Sequence, residues 1–147
     1  MSTLAQRLSS ALAQVLTVVE EADGALTVSQ PGMVASLRVV TIAEGLEMVS
    51  LTQPLVWDLP LNAKVREKVA QQASKTLLGT VALVEKTVDT PGNGASANSA
   101  TRKSTVKKSA DVLLRYNFPG GGLTDDALRT LILMVLAAGA DVREALS

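Results

Sequence analysis

The stretch ADVLLRYNFPGGGLTDDALRTLILMVL, residues 110–136, decides the fold class. Its first half alternates: Ala110, Val112, Leu114, Tyr116 and Phe118 share one parity, while Asp111, Leu113, Arg115 and Asn117 share the other, the period-two pattern of a strand. Pro119 and three glycines interrupt it. From Thr124 the period changes to that of a helix: Thr124 is placed to cap, Asp125 and Asp126 suit the amino-terminal dipole, and Leu128, Leu131, Ile132, Val135 and Leu136 form an apolar stripe. A strand feeding directly into a covering helix implies an α+β domain.

Working outward, Val106 to Phe118 is expected to be the last strand and Thr80 to Val88 its neighbour. Between them, Asp89 to Ser104 is rich in Gly, Asn, Ser, Ala and Thr, and is expected to form a mobile hairpin loop, dispensable for folding. Asn62 caps a helix from about Ala63 to Leu77, with Val65, Val69, Ala73 and Leu77 at four-residue steps and a basic outer side. Ala25 to Leu59 reads as three strands separated by Pro31-Gly32 and Glu44-Gly45, with a break near Gln53 to Pro54. Leu4, Leu8, Leu12, Val15, Leu16 and Val19 line one face of a first helix, capped by Ser2 or Thr3 and stopped at Asp23-Gly24. Gly139 is read as ending the last helix before a terminal turn.

The expected architecture is therefore a single domain over residues 1–147: a five-stranded antiparallel sheet with helices, in the order α-β-β-β-α-β-β-α. The chain is 47% hydrophobic but 2% aromatic, so the core must be aliphatic.

Composition excludes most chemistry. The chain has neither Cys nor His, which removes disulfides, thiolate metal sites, imidazole bases and Ser-His or Cys-His nucleophile pairs. Absent cysteine fits a reducing compartment, and a cytoplasmic location is expected. The longest apolar run, Leu131 to Ala140, is half of what a bilayer span needs, so no membrane association is expected. Net charge is zero but uneven: residues 1–60 hold two bases against six acids, whereas residues 61–108 hold nine against three. With so few aromatics to stack on bases, nucleic-acid binding is not expected.

The remaining candidates are modest. Glu20, Glu21 and Asp23 are acidic, but without calcium-loop spacing. Asp125 and Asp126 point about 100° apart on a helix and read as dipole-complementing acids. Gly120-Gly121-Gly122 before a helix invites an anion-site reading, without the Lys-Ser/Thr of a phosphate loop. No catalytic residue, metal site or cofactor is expected. Trp57, Val65, Val69 and Leu113 are the candidate partner-binding residues, Trp57 because isolated aromatics anchor interfaces. Runs apolar on both sides, such as Met33 to Ile42, need cover on both faces and predict a homodimer.

Leu113-Leu114-Arg115-Tyr116-Asn117-Phe118-Pro119 followed by Leu123-Thr124-Asp125-Asp126-Ala127-Leu128, with Leu59-Pro60-Leu61 leading into the second helix, resembles the YbjN-like family of bacterial proteins. The fold of that family is similar to that of class I type III secretion chaperones. The resemblance implies helices packed on an antiparallel sheet, frequent homodimerisation and a chaperone-like or regulatory binding role without catalytic residues. The expected function is thus a non-catalytic module that holds a protein or peptide partner. The alternative is a small-anion or ligand-responsive domain using the Gly120 to Gly122 turn.

Overall fold

A computed structural model describes residues 2–88 and 107–147. Its elements are α1 (Leu4–Ala13), β1 (Thr17–Glu20), β2 (Leu26–Gln30), β3 (Met33–Ala43), β4 (Leu46–Pro60), α2 (Ala63–Lys75), β5 (Thr80–Val88), β6 (Lys107–Pro119) and α3 (Asp125–Leu146). The strands form one antiparallel sheet in the order β1-β2-β3-β4-β6-β5. The expected loop of residues 89–104 lies outside the described residues.

The sheet has six strands, not five, because α1 stops at Ala13 and Thr17-Val18-Val19-Glu20 pairs with β2. Val15 and Leu16 lie past the helix end. The β-branched pair Val18-Val19 follows the strand preference that outweighs their helical spacing. Asp23-Gly24 consequently turns β1 into β2, with Gly24 at φ 91°. Thr3 caps α1 by accepting from the Gln6 amide, and the Gln6 side chain accepts from the Thr3 amide in return.

The expected break at Gln53 to Pro54 does not occur, and β4 runs unbroken for 15 residues. The ladder with β3 ends at Ser36↔Thr52, so Pro54 sits where its missing donor leaves no β3 partner wanting; on the other side β4 continues along β6 with register shifts after Pro54 and Val56.

Odd-numbered β4 residues Val49, Leu51, Gln53 and Leu55 face the helices, together with Val112, Leu114 and Phe118 of β6 and Leu26, Val28, Ala35 and Leu37. They pack against Leu4, Leu8 and Leu12 of α1 and against Leu128, Ile132 and Val135 of α3. Tyr116 and Phe118 share this face and stack with ring centroids 5.3 Å apart.

Two helix ends differ from expectation. α2 ends at Lys75 with Thr76 extended, which leaves Leu77 off the helix and 88% exposed. α3 passes through Gly139 without ending and buries Val142 and Leu146 beyond it. A Cβ at Gly139 would overlap the Gln53 carboxamide, so the glycine serves a close approach of helix to sheet. Leu131, expected in the buried stripe, is only half-buried.

Candidate partner-binding surface

All three helices cover one face of the sheet. α1 and α3 lie over the centre, and α2 is tied to the same face of β5 by a two-pronged pair between Arg66 and Glu85, at 2.9 and 3.3 Å. Arg66 holds the Glu85 carboxylate below its ordinary range. The opposite face has no covering element among the described residues. An antiparallel sheet tolerates this when its outer residues are polar. Here they are mixed: Thr27, Ser29, Ser36, Arg38, Ser50, Thr52, Arg115 and Asn117 share the face with Val34, Val40, Ile42, Leu46 and Val84, which are exposed, Ile42 at 61%. Val40, Ile42, Leu46 and Met48, with Ser50 and Asn117, line a shallow apolar depression of about 490 Å³ at the β3–β4 hairpin end.

Trp57 stands at the margin of this face, 62% exposed. It occupies a bulge, since Val56 pairs with Val112 and Leu59 with Ala110, leaving Trp57 and Asp58 opposite Asp111. Asp58 has φ 54°, the one positive value outside glycine among the described residues. A left-handed aspartate costs about 1 to 2 kcal/mol. Its neighbours hold it there: Asp111 accepts the Asp58 amide at 3.0 Å, and Lys86 bridges Asp58 at 2.5 Å and Asp111 at 2.8 Å. Lys86 first, then the Asp58 amide, keeps the Asp111 carboxyl below its ordinary range, and the two aspartates raise Lys86 in turn. The bulge presents Trp57 over a crevice of about 310 Å³, where Pro54 and Leu55 part from Met33 and Val34 and Arg143 of α3 closes the rim.

The four sequence candidates do not converge. Leu113 is half-buried on the uncovered face, where it pairs with Pro54 and Ala82, and Trp57 is at that face's edge. Val65 is half-buried on α2, in the helical layer, and Val69 there is buried in the core. Of the residues that carry the apolar depression, Val40 and Ile42 fall in the Met33 to Ile42 run expected to need cover on both sides, while Leu46 and Met48 were not singled out.

The other candidates find structural partners. Arg7 spans the glycine turn, donating to the carbonyls of Gly121 and Leu123 and to Asp125 Oδ1 at 2.8 Å. The turn thus offers carbonyls to a cation, next to two first-turn acids, and Thr124 already occupies the Ala127 amide at 3.0 Å. Gly120 is buried with no room for a side chain, a Cβ there falling 2.7 Å from Val49. Glu21 accepts from Thr27, and Asp23 from Arg38 and the Ala25 amide. Among the described residues no three acidic groups gather as a metal site requires, and no helix is long and apolar enough to cross a membrane. No protein-family model and no curated protein matches this chain.

Proposed function

We propose that this chain is a non-catalytic binding module that works as a homodimer and holds a protein or peptide partner, in a chaperone-like or regulatory role. One observation carries the reading: among the described residues the helices cover one face of the sheet only, and the other face carries exposed valine, isoleucine and leucine. An apolar patch of this kind on a soluble domain marks an interaction surface. Trp57, presented by a strained bulge, supplies the aromatic anchor such surfaces use. Kinship with the YbjN-like family and a cytoplasmic setting belong to the same proposal and rest on the sequence.

Affinity capture with the wild-type chain, Ile42→Asp and Trp57→Ala in parallel, read by mass spectrometry, tests it. The expected result is a partner retained by the wild type and lost with the variants. Identical recovery from all three would remove the bare face as the binding surface.

A further inference from the structure

A backbone held against its own preference is found most often where a ligand is gripped. Asp58 is such a residue: it stays at φ 54° while Asp111, 8% exposed, accepts its amide and Lys86 bridges the two carboxylates. The side chain this clamp displays is the neighbouring Trp57, the only tryptophan in the chain.

Trp57 lines the crevice of about 310 Å³ that opens where the β3–β4 ladder stops at Ser36↔Thr52. Its volume falls at the low end of small-molecule sites, which span about 300 to 1,000 Å³. Met33, Pro54 and Leu55 make the wall apolar, and Arg143 is the one ionised residue in the lining. Charge therefore selects the ligand. Arg143 is held by donation to the Gly32 carbonyl, which engages one of its five N–H groups. Among the described residues no carboxylate pairs with it, and Glu144, next to it in the chain, lines the adjoining depression instead. A guanidinium held in this way keeps donors for a carboxylate. The indole beside it suits a flat or branched apolar body.

We propose that the crevice between Trp57 and Arg143 binds a small apolar carboxylic acid as its anion, with the carboxylate on the Arg143 guanidinium and an aromatic or branched body against Trp57, Pro54 and Leu55. Neither a second copy nor a protein partner takes part, so this site goes beyond the reading of the bare face and fails separately from it.

Trp57 reports its own site, since no other tryptophan contributes emission. Titrating the full chain with 3-phenylpropionate is expected to shift Trp57 emission to saturation. The amide 3-phenylpropionamide, the same body without the charge, is expected to leave it unmoved. Arg143→Gln should weaken binding of the acid at least about tenfold through the lost charge-assisted contact, whereas Lys64→Gln, at an exposed base on α2, should leave it unchanged. Arg143 is itself exposed, so its replacement leaves the core intact. Absence of a saturable shift overturns the inference. So does an amide that binds as the acid does, or Arg143→Gln and Lys64→Gln having equal effects. A peptide acid, acetyl-Ala-Ala-Phe, that binds more tightly than 3-phenylpropionate overturns the assignment to a small molecule and gives the crevice to the end of a chain.

Discussion

At the scale of single residues, the tightest constraint is the pair Gln53 and Gly139. Gln53 is 1% exposed, its Nε2 donates to the Leu136 carbonyl at 3.4 Å, and its Oε1 has no partner among the described residues. Two effects oppose each other in Gly139→Ala. Helix propensity favours alanine by about 1 kcal/mol, and overpacking against the carboxamide costs about 1 to 3 kcal/mol. Urea unfolding should show the single variant destabilised, and in a Gln53→Ala background the same substitution should stabilise. The same sign in both backgrounds would mean that the carboxamide moves aside freely. The Asp58–Lys86–Asp111 cluster makes a second prediction. The Asp111 carboxyl titrates lower folded than unfolded, so its stabilisation is full above about pH 4 and fades as pH falls through the lower folded value. Asp111→Asn should therefore lose stability at pH 7 and lose less on going to pH 3, read as a smaller shift in the urea midpoint. An unchanged shift would show that the ion pair contributes nothing net.

Among the elements, those whose signals are local were legible. Thr124 capping α3, Asn62 capping α2 and the period-two alternation of β6 each lie within a few residues of the feature they specify. Elements decided by distant contacts were not. Helical spacing carried the first helix through Val19, while the pairing that makes Thr17–Glu20 a strand comes from β2. Gly139 looks like a stop when taken alone and becomes a packing residue only once Gln53 lies against it. Burial also sets the energetics of α3. Ile132 is fully buried and Leu131 only half, so Ile132→Ala should cost about 2 to 5 kcal/mol and Leu131→Ala about 1 to 2 kcal/mol. Arg129 donates to the Ala11 carbonyl at 3.3 Å and to Asp126, joining α3 to α1. Arg129→Ala should then cost about 1 kcal/mol, through the lost bond and the uncovered aliphatic stem. Equal losses at 131 and 132 in denaturant unfolding would show that the helix sits rotated from this orientation.

For the whole molecule, the sequence conveyed the α+β class and the two-sided apolar character of β3, but not which strand face stays bare. That depends on all three helices choosing the same side, which no local pattern encodes. A bare apolar face covered by a second copy couples stability to protein concentration, because chains that associate only when folded are stabilised by mass action. Each tenfold rise in concentration adds about 1.4 kcal/mol per dimer, or about 0.7 kcal/mol per chain. At about 2 to 4 °C per kcal/mol for chains of roughly 150 residues or more, Tm should rise by about 1 to 3 °C per decade. Ile42→Asp, which removes the contact without opening the core, should melt at a temperature independent of concentration. Calorimetry over two decades of concentration reads both slopes. A flat wild-type Tm would mean that the chain folds and melts alone, and that Val40, Ile42 and Leu46 meet some other protein or none.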